Sequence, residues 1–304
     1  MTRANSYKLF LLLCFASVAV WWQVFFGTVR LALRNDAYTH ILLIVPVSAL
    51  LIALRLHDDT GAASSSPYAG VALLGLAALI GIVGLRWEPV DTASIVGMRW
   101  MVEMLALVTW WIGSFVVCFG FSLARACAFP LLFLFWLVPM PQIAVSHIIA
   151  FLQQGTAALT RDMFVLIGVP VTRSGTVVSV PGLSVEVAEE CSSVRSSLML
   201  VVIATVMACV MLRSYWGRAA VILIAMPLAV AKNALRVFTL QAVGAYVNPA
   251  ILNSPLHREG GVLFLAIAVA ALFALVLLIR RLEDHRIDAG TRANISRLSM
   301  TAHS

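Results

Sequence analysis

The chain has 304 residues, of which 62% are apolar and only 12% charged, with a formal net charge of +7 and a mean hydropathy of +0.98. An average soluble domain carries about 25% charged residues, so the composition excludes a water-soluble globular protein. The basic residues are scattered one or two at a time between hydrophobic runs, a pattern that excludes a nucleic-acid-binding surface.

The hydrophobic runs predict an all-α polytopic membrane protein with about eight transmembrane helices, since each crossing needs roughly 20 apolar residues. We expect the spans near residues 9–26, 40–54, 68–85, 99–121, 127–138, 191–212, 219–247 and 262–279. The second and fifth runs are short, which leaves tilted, capped or re-entrant segments open as alternatives. Residues 1–304 are interpreted as a single integral membrane domain, in which residues 283–304 form a short cytoplasmic tail.

The distribution of basic residues predicts the orientation. With the N-terminus in the cytoplasm, the inner side holds eleven of the 21 Lys and Arg residues, the outer side eight, and the membrane interior the remaining two. Because loops rich in Lys and Arg stay in the cytoplasm, we expect a multi-pass protein of the cytoplasmic (inner) membrane in this orientation.

The longest stretch between spans, residues 139–190, lies between the fifth and sixth spans. It begins with an amphipathic segment, residues 143–167, which we expect to lie along the membrane interface. Small or polar residues then alternate with valines and a leucine around Pro181 and Gly182, which predicts a small β-hairpin. Because open strand edges cannot face hydrocarbon, the hairpin must project from the membrane or pack on protein. In the orientation above we expect it on the extracytoplasmic side, where it leads into residues 189–193.

Cys191 stands at the mouth of the sixth span. A helix N-terminus stabilises a thiolate, and Ser192 can cap the free backbone N–H groups there. Glu190 opposes this effect, whereas Arg195, four residues on, offsets it. The alternative is a small buried cysteine with no chemical role. The five cysteines form no CxxC pair and suggest no disulfide framework.

The seventh span contains Lys232, Asn233 and Arg236. A charged side chain inside the membrane costs about 2.5 to 3.5 kcal/mol even on the most lenient scale, so Arg236 should face the bundle interior or a wet cavity. One interpretation is a structural ion pair with a carboxylate such as Glu103 or Glu190. The other is a clamp for an oxyanion or a carboxylate, because guanidinium presents a rigid fork of donors.

His257 lies in the short joint before the last span. A loop histidine is usually solvated, but the helix count places Cys191 and His257 on the same face of the membrane in either orientation. A thiol, a base and a fixed cation on one face are the parts of a covalent acyl-transfer site. His40, at the start of the second span, is a rival base.

Three motifs resemble those of the exosortases and archaeosortases. They are Glu190-Cys191-Ser192-Ser193 after the hairpin, Asn233-Ala234-Leu235-Arg236-Val237, and His257 before the final span, with a weaker match at Asp36-Ala37-Tyr38-Thr39-His40. The resemblance implies that Cys191, Arg236 and His257 form a sortase-like catalytic triad. Glu190, Ser192, Arg195, Asn233 and His40 are the supporting candidates.

The same resemblance implies a cysteine peptidase or transpeptidase, and the orientation predicted from the basic residues places its site on the extracytoplasmic face. Its partners would be exported proteins with a C-terminal sorting signal, which consists of a short motif, a transmembrane helix and a basic cluster. The acyl group would pass to an acceptor such as an envelope lipid or glycan, with no cofactor, metal or nucleic acid required. A membrane transporter and a non-catalytic polysaccharide-assembly protein remain the alternatives.

Overall fold

The computed structural model describes residues 3–58, 67–86, 97–187, 194–247 and 261–301, which are mostly helical. The helices are α1 (Arg3–Val20), α2 (Trp22–Arg34), α3 (Ile41–Asp58), α4 (Pro67–Gly84), α5 (Met98–Phe119), α6 (Phe121–Ala126), α7 (Ala128–Phe133), α8 (Gln142–Leu166), α9 (Val194–Met211), α10 (Tyr215–Tyr246) and α11 (Gly261–Thr301). Short 3-10 turns occupy Asp36–Tyr38 and Leu134–Leu137, and three strands follow α8: β1 (Thr172–Ser174), β2 (Val177–Val180) and β3 (Leu183–Glu186).

Six helical segments among the described residues are long and apolar enough to cross a membrane. They are Asp36–His57, Met98–Phe119, Gln142–Leu166, Val194–Met211, Tyr215–Tyr246 and Gly261–His285. The bent pair α1–α2 raises the number to seven if it is one span, and Tyr68–Gly84 and Ala128–Leu137 are shorter apolar helices. The chain is therefore a multi-pass helical membrane protein, while the count of eight crossings stays a prediction.

The chain forms two compact units, residues 1–147 and 148–304. In the first unit, α4 packs along α5 with the two backbones in close contact. A Cβ atom added at Gly70 would lie 2.7 Å from the backbone nitrogen of Val117, and one at Gly113 would lie 3.1 Å from Leu73 Cβ. Small residues thus let these helices approach closely, as is common inside membranes.

The first hydrophobic run, predicted as one span near residues 9–26, is divided between two helices. The chain bends by 83° between α1 and α2, and three tryptophans of α5 hold both arms. Trp110 Nε1 donates to the Leu13 carbonyl at 3.3 Å and Trp111 Nε1 to Ser17 Oγ at 3.0 Å, both on α1. Trp100 Nε1 donates to Thr28 Oγ1 of α2 at 2.8 Å. The bend is thus stabilised by partners distant in sequence.

In the second unit, α9, α10 and α11 pack against one another. Ser214 caps α10, accepting from the Gly217 N–H at 3.2 Å. Glu283 of α11 accepts from the backbone N–H groups of Arg213 at 3.0 Å and Ser214 at 3.2 Å. These contacts satisfy backbone donors at the joint between α9 and α10, so one end of the three-helix group is fixed.

The segment predicted to be amphipathic forms α8, a continuous helix of 25 residues that is also long and apolar enough to cross a membrane. Its place along the interface therefore stays a prediction. The three strands after it make an antiparallel sheet in the order β1–β2–β3. Strands β2 and β3 form a hairpin around the turn predicted from the sequence, in which Gly182 adopts φ +81°. Strand β1 was not expected, because three residues are too few to show an alternating pattern. The extracytoplasmic placement of the sheet stays a prediction.

Candidate functional site

Arg236 lies in the middle of α10 and is buried, with 8% of its surface exposed. Its guanidinium lies beside the first residue of α11: a Cβ atom built on Gly261 would be 3.7 Å from Arg236 Nη1. A methyl group at Gly261 would therefore lie in van der Waals contact with the guanidinium. Gly261 follows His257, the predicted base, by four residues. The segment that carries His257 therefore ends beside Arg236, the predicted cation.

One turn earlier on α10, two polar side chains contact the first two turns of α9. Lys232 Nζ donates to Ser196 Oγ, and Asn233 Nδ2 donates to Ser197 Oγ at 3.4 Å. Lys232 and Asn233 are both buried, so these hydrogen bonds are shielded from bulk water and fix the register of the two helices. The start of α9 is thereby held to the part of α10 that carries Arg236.

Two basic side chains are thus buried one helical turn apart, those of Lys232 and Arg236. The acidic side chains that the structure describes in the second unit, on Asp162, Glu186, Glu283 and Asp284, are exposed or half-exposed. Like charges in a medium of low dielectric constant repel, and they stabilise any anion brought near them. A guanidinium at this depth can stabilise an anion beside it, such as a thiolate, a carboxylate or an oxyanion.

The sheet packs on α8 and α10 through a small hydrophobic cluster of Ala157, Val178, Val187 and Val237. The last of these directly follows Arg236. Two glutamine side chains add hydrogen bonds to backbone carbonyls at the edge of this cluster. Gln241 Nε2 donates to Val178 O at 2.9 Å and to Leu183 O at 3.4 Å, and Gln153 Nε2 donates to Val187 O at 3.1 Å.

Four of the predicted site residues belong to the described part of the chain. Arg236 and Asn233 are buried in α10, and Arg195 is exposed in the first turn of α9. His40 belongs to the first unit, where it is 3% exposed and its ring packs edge-to-face against Trp136 at 5.9 Å. Cys191, His257, Glu190 and Ser192 lie outside the described residues.

Glu103 was one of the carboxylates considered as an ion-pair partner for Arg236. It pairs instead with Arg99, four residues earlier on α5, with Arg99 Nε 2.5 Å from Glu103 Oε1. This i,i+4 pair belongs to the first unit. The pairing satisfies a carboxylate that is otherwise largely buried in an apolar helix.

The sequence analysis missed four polar residues that hold the site together: Gln153, Gln241, Ser196 and Ser197. Gln241 could have been identified from the sequence, because a polar amide in an apolar span requires a hydrogen-bond partner. Ser196 and Ser197 could not, since serine is common in membrane helices and often bonds to its own backbone. Their partners could be identified only from the packing of α9 on α10.

A family model described as transmembrane exosortase matches residues 21–274 of the chain. The matched region includes every residue discussed above as part of the candidate site. No curated protein and no solved structure shows significant similarity to the chain.

Proposed function

The chain belongs to the transmembrane exosortase family, and we propose on this premise that it is a membrane-embedded cysteine transpeptidase. It cleaves a C-terminal sorting signal of exported proteins on the extracytoplasmic face of the inner membrane. The acyl group then passes, through a thioester, to an amine or hydroxyl of an envelope lipid or glycan. Cys191 is the nucleophile, His257 the general acid and base, and Arg236 the electrostatic partner of the reacting oxygen.

The contact between Arg236 and Gly261 is the observation that carries the proposal. A trans chain advances at most about 3.6 Å per residue, so the His257 backbone stays within about 14 Å of Gly261 by connectivity alone. Likewise, Cys191 follows Val187 by four residues and precedes Val194 by three. Connectivity therefore limits the distance from the Cys191 backbone to about 14 Å for Val187 and about 11 Å for Val194. All three anchors belong to the second unit, in which Arg236 is buried.

In the proposed reaction, the Cys191 thiolate attacks the scissile carbonyl carbon and forms a tetrahedral intermediate. The negative charge that develops on its oxygen is stabilised by the Arg236 guanidinium. The intermediate collapses as the C–N bond breaks, and protonated His257 gives its proton to the leaving amine. The incoming amine or hydroxyl then loses its proton to His257, attacks the thioester and releases the thiolate.

The buried basic side chains of Lys232 and Arg236 support this chemistry, but a transporter would also hold them inside the membrane, so the pattern of helices separates the two functions. A thiol is a better nucleophile when positive charge stabilises its thiolate. A transporter built from repeats would show paired discontinuous spans in two halves of the chain. Among the described residues, the bent pair α1–α2 is the single sharp break between long helices.

The deciding experiment co-expresses the enzyme with an exported protein that bears a candidate C-terminal sorting signal from the same genome. We expect wild type to shorten the substrate and Cys191→Ala to leave it intact, as seen by gel shift. Mass spectrometry of the new C-terminus distinguishes hydrolysis from transfer, because transfer adds the mass of the acceptor.

Matched histidine variants in the same assay identify the base. We expect His257→Ala to abolish processing and His40→Ala to retain it. If Cys191→Ala processes the substrate as well as wild type does, the enzyme is not a cysteine transpeptidase. Solute uptake in proteoliposomes would then be the next measurement.

A further inference from the structure

Two glutamines in the second unit donate hydrogen bonds to the backbone of the hairpin and of the residue that follows it. The first, Gln241, has 0% of its surface exposed and lies five residues after Arg236 on α10, about 7.5 Å farther along the helix axis. Its amide Nε2 bridges both strands of the hairpin, since it donates to Val178 O of β2 and to Leu183 O of β3. One side chain of the arginine-bearing helix therefore holds the hairpin on both sides of its turn.

The second, Gln153 of α8, holds the end of the hairpin. Its Nε2 donates to the carbonyl of Val187 at 3.1 Å, while the Val187 N–H donates to Thr176 O at 3.0 Å. The Val187 side chain is fully buried in the cluster with Val178 and Val237. Val187 is thus fixed by its side chain and by both of its backbone polar groups, immediately before the segment that carries Cys191.

From these contacts we infer that Gln153 and Gln241 are positioning residues, whose amides hold the strand leading into Cys191 in register with the helix that carries Arg236. The inference rests on the proposed function of Cys191 and Arg236. Its physical reason is that β3 is short and pairs with a single neighbour, β2. Such a strand needs outside contacts to keep one position.

The expected consequence is a loss of rate with little loss of substrate binding. Misplacing a reacting group by about 1 Å can lower a rate about 100-fold, because the bound geometry no longer approaches that of the transition state. The substrate's own transmembrane helix would still bind in its usual place. We therefore expect Gln153→Met and Gln241→Met each to lower kcat by about 10- to 100-fold while KM stays within about threefold of wild type.

Three controls separate positioning from general stability. Gln154→Met makes the same change at the neighbouring, exposed position of α8 and should leave kcat unchanged. Gln153→Lys restores an N–H donor at a half-buried site and should recover most of the rate lost in Gln153→Met. Thermal unfolding in detergent should give similar Tm values for all these variants.

Hydrogen–deuterium exchange provides a readout that does not depend on activity. We expect the backbone amides of residues 183–187 to exchange faster in Gln153→Met and Gln241→Met than in wild type. Unchanged exchange together with wild-type kcat in both variants would overturn the inference. If wild type itself shows no Cys191-dependent processing, the proposed function fails, and faster exchange would still show that the glutamines hold the strand.

Discussion

At the scale of single residues, the buried basic side chains of α10 are the main chemical feature of the candidate site. Arg236 and Lys232 are held away from water at positions where an unbalanced charge would be expensive. A protein retains such residues in a membrane when they bind something anionic or complete a polar network. The polar network is observed here, because Lys232 and Asn233 bond to the serines of α9, and the anion belongs to the proposed function.

The charge and the shape of Arg236 can be tested separately with Arg236→Lys. This variant keeps the positive charge but loses the planar fork of donors, so we expect the processing rate to fall about 10²- to 10³-fold, the typical cost of removing an oxyanion donor. The measurement is the initial rate of substrate cleavage, normalised to monodisperse protein from size-exclusion chromatography.

Arg161→Lys is the matched control, because Arg161 is half-exposed on α8 in a loose contact with Asp162. It should cleave at the wild-type rate. Near-normal cleavage by Arg236→Lys would remove the guanidinium from the mechanism and leave only a requirement for charge.

At the scale of helices, close packing determines which elements are rigid. Helices α4 and α5 touch at Gly70 and Gly113, where backbone atoms of one helix come within van der Waals reach of the other. Lipid tails are as apolar as leucine, so helix association inside a membrane depends on such contacts and not on hydrophobic burial. The same contacts give α4, which is short for a spanning helix, a fixed position against α5.

A single methyl group at this interface should be destabilising. In Gly70→Ala the new Cβ would lie 2.7 Å from the Val117 backbone nitrogen and 2.5 Å from its Cγ2, so the helices must separate. We expect a loss of about 1 to 3 kcal/mol, typical of overpacking, measured as a lower Tm in detergent or a lower midpoint in denaturing mixed micelles.

Gly75→Ala on the same helix provides the comparison, since nothing lies within 4 Å of its added Cβ. This change should be neutral or slightly stabilising, because alanine has the higher helix propensity. Equal stabilities for the two variants would show that the α4–α5 contact is looser than the structure has it.

At the scale of the whole molecule, the orientation in the membrane determines where the chemistry takes place. The distribution of basic residues, eleven inside against eight outside, favours a cytoplasmic N-terminus and C-terminal tail. The sheet and the starts of α9 and α11 would then face the extracytoplasmic side, where exported substrates pass. This orientation stays a prediction from the sequence.

Labelling of intact cells tests this orientation. In a Cys191→Ala background, the additional change Ser174→Cys places a thiol on the exposed strand β1, and Ser304→Cys places one at the end of the tail. We expect a membrane-impermeant maleimide to label the first variant in intact cells and the second only after permeabilisation. The reverse pattern would invert the topology and exclude an extracytoplasmic acceptor.

Cys191→Ala alone is the control for the other four cysteines. Cys118 and Cys127 are buried, and Cys14 and Cys209 are partly exposed in helices. All four lie in or beside apolar helices, so we expect a low background from them.

The sequence by itself determined that the chain is a multi-pass helical membrane protein, because hydropathy is a local property that each segment expresses independently of its neighbours. It also identified the exosortase family, whose motifs are short and contiguous, and it located the turn at Pro181 and Gly182. The buried position of Arg236 also followed from the sequence, since a charged side chain in an apolar span must face the bundle interior or a wet cavity.

Only the tertiary structure decided which distant residues meet. The 83° bend between α1 and α2 depends on tryptophans of α5 more than 70 residues away. The sequence around Trp21 does not predict it. The glutamine contacts with the sheet, the serines of α9 beneath Lys232 and Asn233, and the approach of Gly261 to Arg236 likewise join separate segments. Such contacts depend on packing between segments, whereas periodicity and hydropathy report on one segment at a time.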